Sequence, residues 1–599
     1  MAGNHECGSP LRRSERFALS PSGLSEMLRT GRAERRRSVA IGENSVRADH
    51  GLVSPPRDHS LQAKSLFDLF FASRLSYGER PALWVEKTVF TYAELYQAAA
   101  QFAGAIQMAR GRQSRHEYDQ CGLLVNRTPT AYIGVLASLM TGSAYVPLNP
   151  RFPRDRLRDV LLSSAVDTLI VDHASAATAG PLLESTPRSL TVLLPDAAAR
   201  PDWTLRTPQH RYVTRDDIEA AAPAAPARDH SIESGAYLLF TSGSTGTPKG
   251  VLISNGNALD YIRNTSRRYR PGPDDRFSQL FDFSFDLSVH DMFLAWSAGA
   301  CLYCAPEGVI GLSDFIRRSE LTFWFSVPSA AAFMRQLHML KPGSYPSLRW
   351  SLFCGEALPM GLAATWQDAA PNSIVENLYG PTEATVAFTA YRLPKEKRPE
   401  LDALPTVPIG RPLPGQRIRV VDHHGEPLRE GQAGELCLGG SQVAAGYWQA
   451  PDQTAARFQP PRCADAEGTR WYRTGDRAVM SSDHGLIYLG RIDRQAKIRG
   501  HRVELLEVEN AMRRAAGTDT VAAVPWPVGD DGLALGLVGF VAGSQKLDAE
   551  IIAACCDTLP DYMVPSQICR AIDWPLNANG KTDYTSLTRL LQNGDVEHQ

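Results

Sequence analysis

From Ser60 onward the apolar side chains fall into helical spacing, with Leu66, Leu69 and Phe70 on one face, and helix-like segments then alternate with strand-like ones as far as Val171. Alternation of this kind predicts a largely parallel sheet covered by helices. The stretch Thr128–Pro150 holds 23 residues without a charge, which is long enough to cross a bilayer. Its polar cluster Thr141, Gly142 and Ser143, with Pro147 beyond, instead predicts a buried helix turning into a strand. Ala220–Ala227 reads as a flexible surface connector. After it, Tyr237–Phe240 reads as a strand that runs straight into a loop crowded with hydroxyls and glycines, Thr241–Gly250, and then into a second apolar segment.

Length and composition narrow this picture. A chain of 599 residues exceeds one ordinary core and predicts at least two domains. The balance of 63 basic against 65 acidic side chains gives no global attraction to nucleic acid or to an anionic membrane. Ten cysteines are too sparse for a disulfide scaffold, and with no signal peptide at the start the expected compartment is the reducing cytoplasm. Cys301 and Cys304 have redox or zinc spacing but no second Cys/His pair at a suitable interval. Residues 1–58, with Arg12-Arg13, Arg35-Arg36-Arg37 and many serines, cannot bury enough apolar surface to order themselves and are read as a disordered extension.

The chemistry gathers in a few stretches. Small side chains between Thr241 and Gly250 let backbone N–H groups and hydroxyls close around an anion, and Lys249 adds a cation. This is not a Walker A loop, because Pro248 precedes the lysine and Gly250 follows it. In FDFSFDLSVHDMF, Phe281–Phe293, a carboxylate such as Asp286 is costly to bury among apolar neighbours unless something pairs with it; the plain alternatives are a helix cap or a place on the surface. Gly490–Glu504 interleaves six basic side chains, His501 included, with apolar ones, and on composition alone is a solvated basic face. Near the end, Asn579-Gly580 forms a turn that projects Lys581 outward.

TSGSTGTPKG at Thr241–Gly250 closely resembles the phosphate loop of the adenylate-forming superfamily, which includes acyl-CoA synthetases, luciferases and the adenylation domains of nonribosomal peptide synthesis. GSAYVPLNP (Gly142–Pro150), LYGPTEAT (Leu378–Thr385), YRTGDR (Tyr472–Arg477), GRIDRQAKIRGHRVE and NANGKTDY (Asn577–Tyr584) resemble further motifs of the same family, so that the likeness spans about residues 60–590. It implies an α/β fold with a large N-terminal domain at 59–490, built of βαβ layers and a small β-barrel-like subdomain, and a small mobile α+β domain at 491–599.

The resemblance also assigns roles. ATP is held by Thr241, Ser242, Gly243, Ser244, Thr245, Gly246 and Lys249, by Gly355 and Glu356, by Tyr379 against adenine, by Thr382 near the phosphates, and by Asp476 and Arg491 at the ribose. Glu383 lies near Mg2+, Asp493 at the hinge. Asp286 takes the α-ammonium of an amino acid, and Leu287, His290, Ser326, Leu352, Cys354, Leu378, Val386 and Ala387 line the side-chain pocket. Most of these are apolar, so the expected substrate is a small or medium neutral amino acid. FDLSV, FCGEALP and LYGPTEATV together resemble the ligases that load D-alanine onto a carrier protein; L-alanine, serine and proline stay open, as does an acyl- or aryl-CoA synthetase.

The implied first step is attack of the carboxylate on the α-phosphorus of ATP, with Lys581 and Lys249 as catalytic cations. Rotation of the small domain then lets a phosphopantetheine thiol reach the adenylate, with Lys497 as a candidate for that step. Only 18 residues follow Lys581, so the carrier is expected to be a separate protein.

Overall fold

The computed structural model describes residues 62–110, 119–227, 230–243, 248–396, 401, 404–462, 468–529, 532–571, 574–576 and 581–594. The extension expected at residues 1–58 lies outside them. The uncharged stretch becomes a helix, Pro129–Met140, started by Pro129 and buried along every residue from Thr130. Gly142, at φ +82°, then turns the chain into the buried strand Ala144–Leu148. Helix and strand are both apolar because each is buried along its length. Among the described residues, no helix is long and apolar enough to cross a membrane.

Two large sheets carry the N-terminal part. In the seven-stranded one, Thr168–Val171, Gln120–Leu124, Ala144–Leu148 and Gly235–Thr241 run parallel in that spatial order, and Lys249–Ser254 closes the edge antiparallel to Gly235–Thr241. In the nine-stranded one, Cys301–Cys304, Arg276–Gln279, Phe323–Ser326, Trp350–Phe353 and Ile374–Tyr379 form the parallel centre. The conserved direction of these strands places the loops after Thr241, Gln279, Ser326, Phe353 and Tyr379 at their carboxyl ends, where ligands bind in open α/β sheets. Trp366 anchors one side of the second sheet, fully buried against Trp324, Phe353 and Tyr345 at ring separations of 5.4, 5.3 and 5.8 Å.

A four-stranded antiparallel sheet, from Arg417–Val421 to Gly485–Arg491, forms the small β subdomain. The next strand, Gln495–Ile498, already belongs to the C-terminal domain, where it pairs with His501–Glu504. Ile492–Arg494, with Asp493 at their middle, join the two sheets. The C-terminal domain adds a three-stranded sheet, Val521–Pro525, Leu537–Val541 and Gln567–Arg570, packed against Leu505–Ala516 and Asp548–Cys556. Cys555 is buried in the last of these helices, and Cys301 and Cys304 lie in a strand, all three as free thiols.

Trp366→Ala should cost about 3–5 kcal/mol, because the indole fills a rigid aromatic cluster that cannot close over the void. Chemical denaturation followed by tryptophan fluorescence checks this; a loss below about 1 kcal/mol would mean that the cluster is not packed as described.

Candidate active site

A cavity of about 300 Å³ opens at the carboxyl ends of both sheets and is roofed by the C-terminal hairpin Gln495–Glu504. Thr241 and Ser242, at the end of the strand Gly235–Thr241, form one wall. The Ser242 hydroxyl donates to the carbonyl of Arg502 at 2.8 Å, and the Gly243 backbone donates to the Glu507 carboxylate. Ser244, Thr245 and Gly246 lie outside the described residues. Lys249 stands opposite Thr241 with its ammonium 5.7 Å from the centre of the Tyr447 ring, and burial holds that ammonium below its ordinary range.

Asp286 precedes the helix Leu287–Ser297 but makes no capping hydrogen bond to it, so the plain alternative of a helix cap is not realised. Its Oδ2 accepts instead from the Val386 N–H at 3.0 Å. Thr385 and Val386 both sit in the left-handed region, at φ +60° and +64°, which is unfavourable for β-branched side chains and persists only where surroundings enforce it. The turn thus spends backbone strain on aiming an N–H at a carboxylate. Burial pushes the Asp286 carboxyl up to about 6, with the Val386 N–H pulling the other way.

Glu383 is 1% exposed. Its carboxylate accepts from the hydroxyls of Tyr447 and Tyr472, each at 2.8 Å, and from the Arg502 guanidinium at 3.1 and 3.0 Å. Burial pushes its pKa up, but the guanidinium and the hydroxyls prevail and hold it below the usual carboxylate range. Nearby, Asp476 accepts from the Tyr379 hydroxyl at 2.5 Å and from Arg491 at 2.8 Å. Arg491 also forks onto Asp493 at 2.8 and 2.6 Å, so the expected ribose pair is already joined to the expected hinge residue.

The hairpin tip is fixed from the other side. The Gly500 N–H donates to Glu356 at 2.5 Å while the Ser329 N–H donates to it at 2.8 Å. A side chain at Gly500 would meet Val327 at 2.5 Å, so glycine is required where hairpin and large domain touch. Arg156 and Glu507 form an ion pair across the same boundary at 2.8 Å, with side chains 6% and 5% exposed. A second cavity of about 370 Å³ shares Phe152, Phe285, Leu287, Gly500 and Tyr562 with the first. There His501 stacks on Tyr562 at 3.8 Å and 11°, with Phe285 edge-on to it at 4.9 Å.

Of the expected pocket residues, Asp286, Leu287, Cys354 and Val386 line the cavity. His290, Ser326, Leu352, Leu378 and Ala387 are buried but are not on its wall. His290 Nδ1 pairs with the Tyr261 hydroxyl at 2.7 Å while its buried Nε2 has no hydrogen-bond partner among the described residues, and the Ser326 hydroxyl accepts from the Trp324 indole at 3.0 Å. Burial lowers the His290 pKa to about 3, so its ring is neutral. Gly355, Glu356, Tyr379, Thr382, Asp476, Arg491 and Lys497 are on the wall.

Lys581 is not. It is exposed, on the segment bridged from Leu576 to Thr582, because the C-terminal domain presents its hairpin to the cavity instead. Sequence reasoning overlooked Arg502, Glu507 and the His501–Tyr562 stack. Arg502 lay in a quoted motif, but nothing distinguished it from the other basic residues there until the fold set it against Glu383.

A family model described as AMP-binding enzyme matches residues 70–448. The chain belongs to the AMP-binding enzyme family. The likeness to the adenylate-forming superfamily read from the motifs is therefore borne out. The chain is also 34% identical over 552 residues to an L-proline--[L-prolyl-carrier protein] ligase of Streptomyces coelicolor, covering 90% of this chain and 96% of that one. It is 32% identical to tyrocidine synthase 2 of Brevibacillus parabrevis over 518 residues, 86% of this chain but 13% of that protein. Among solved structures, the Vibrio cholerae adenylation domain AlmE, in complex with glycyl-adenosine-5'-phosphate, matches with a TM-score of 0.79 and 31% identity, over 93% of this chain and all of that one. The expected α/β architecture, a large N-terminal and a smaller C-terminal domain, agrees with that match.

The Asp286 carboxyl carries a sign that can be checked. Its folded pKa, about 6, exceeds the ordinary 3.8, so between those values the folded state holds a proton that the unfolded state has lost, and stability falls as pH rises through that window. Asp286→Asn should therefore stabilise the protein by up to about 3 kcal/mol at pH 7.5 and by little at pH 4. Denaturation midpoints at the two pH values measure this; an equal effect at both would contradict a carboxyl made costly by burial.

Proposed function

We propose that this member of the family activates a small neutral amino acid, alanine-like in size and of either hand, as its adenylate and passes it to the phosphopantetheine thiol of a separate carrier protein. The observation that carries the reading is Asp286: a buried, unneutralised carboxylate on the wall of a cavity whose other walls hold the phosphate loop and whose floor is apolar. A substrate ammonium completes it, whereas a plain fatty or aryl acid leaves it unpaired. Leu287, Cys354 and Val386 line the cavity while Ser326, Leu352, Leu378 and Ala387 stay off its wall, which favours a short side chain. The names of the relatives support the same class, one a prolyl-carrier ligase and one an adenylation domain crystallised with a glycyl adenylate. The first of these makes proline the second reading.

In the first step the amino acid is held with its ammonium on Asp286 and its carboxylate toward the phosphates of ATP, bound by Tyr379 at the base and by Asp476 and Arg491 at the ribose. Lys249 and the hydroxyls of the phosphate loop steady the leaving pyrophosphate. Glu383 suits Mg2+, since that ion uses one or two carboxylates together with phosphate oxygens and water, provided that Arg502 withdraws. Bound there, Mg2+ supplies charge neutralisation on the phosphates. Lys581 reaches the α-phosphate and the carboxylate when the small domain, 491–599, is turned the other way about Asp493. In the second step the arrangement described above applies: the hairpin roofs the site, Lys497 faces the adenylate, and the second cavity gives the thiol a path between the domains.

Amino-acid-dependent exchange of pyrophosphate into ATP, across both enantiomers and with fatty and aryl acids alongside, tests the reading. Small neutral amino acids should give the highest rates. Asp286→Ala should lower the exchange on the order of hundredfold through loss of ammonium binding. Lys581→Ala should lower adenylate formation about a hundredfold while leaving thioester formation from supplied adenylate near normal. Exchange driven by fatty or aryl acids and untouched by Asp286→Ala would point to a CoA synthetase.

A further inference from the structure

Arg502 sits where two things cannot be at once. Its guanidinium lies on both oxygens of Glu383, the carboxylate that the preceding reading gives to the metal of the first step. Its backbone carbonyl accepts from Ser242 of the phosphate loop, and its Nε donates to Gln495 at 3.1 Å, across the hairpin. Its charge is felt at Lys249, on the other strand of the phosphate loop. One residue of the small domain thus neutralises Glu383 through its side chain and holds the end of the phosphate loop through its backbone carbonyl.

We propose that Arg502 takes the metal's place on Glu383 once the small domain has turned, holding the domain in its thiol-accepting arrangement and keeping pyrophosphate and its cation from returning. The inference rests on Glu383 being the metal-holding carboxylate. Glu383 is held ionised by the cation it faces, so departure of one cation and arrival of the other are coupled, and each weakens the other's binding. Arg502 acts through Glu383 and touches no reacting atom, which makes it a positioning residue. The rest of the boundary, Glu356 with Gly500 and Arg156 with Glu507, adds affinity without competing for the metal site. No bond is made or broken by the exchange; it changes only which cation neutralises the carboxylate.

The full-length protein loaded with a non-hydrolysable aminoacyl-adenylate analogue tests this. Mn2+ serves as the probe and electron paramagnetic resonance reports its binding. Arg502→Met should bind Mn2+ about tenfold more tightly than the wild type, slow transfer to the carrier about tenfold, and leave pyrophosphate exchange within about threefold. Arg502→Lys, which keeps the charge, should recover part of the transfer rate. In the wild-type protein, hydrogen exchange of the hairpin Gln495–Glu504 should speed up when Mn2+ and pyrophosphate are added together. Unchanged Mn2+ affinity in Arg502→Met, equal loss of exchange and transfer, or a hairpin indifferent to Mn2+ and pyrophosphate would each overturn the proposal. Wild-type protein that exchanges pyrophosphate with no amino acid would instead overturn the reading beneath it.

Discussion

A carboxylate withdrawn from water has to be matched by positive charge, and Glu383 makes this protein's two domains answer to that requirement. Tyr447 and Tyr472 supply hydrogen bonds to it but no charge. The charge comes from Arg502, and Arg502 reaches it only because the hairpin Gln495–Glu504 is folded over the cavity. The same hairpin accepts the Ser242 hydroxyl on the Arg502 carbonyl and roofs the cavity. Hydrogen bonds to Glu356 and the buried Arg156–Glu507 pair reinforce an orientation that Glu383 selects.

Asp286 obeys the same rule with the opposite outcome. It accepts from the N–H of Val386, held in a strained conformation, and from Thr382, yet burial drives its carboxyl toward the neutral form. Within the protein the mismatch is left standing, and a cation arriving with the substrate removes it. Two buried acids about the same cavity are therefore treated differently, one satisfied by the chain itself and one reserved, in our reading, for a ligand. Strain and unmet charge at such a site are expected costs of binding and catalysis.

Much of the architecture was legible from short-range patterns. The uncharged helix Pro129–Met140 and the strand after Gly142 were readable because helix, turn residue and strand sit side by side in the chain. The loop at Thr241–Gly250 was legible because glycines and hydroxyls in that order serve few purposes. The pocket was less legible: His290 Nδ1 is turned to Tyr261, a contact between two helices that periodicity does not encode, and the Ser326 hydroxyl is taken up by Trp324 of its own strand. Lys581 and Arg502 show the deeper limit. In our reading, which of the two cations faces the nucleotide depends on the orientation of a whole domain, and a linear motif is the same in either orientation.

The central claim is that an amino acid becomes an adenylate here and leaves as a thioester. Intact-mass spectrometry of a phosphopantetheinylated carrier protein, after incubation with this enzyme, ATP, Mg2+ and the twenty amino acids in both enantiomers, reads it directly. The account predicts that the carrier gains the mass of one small neutral aminoacyl group and that one AMP appears for each. AMP without any gain on a carrier, together with transfer to free coenzyme A, would contradict it.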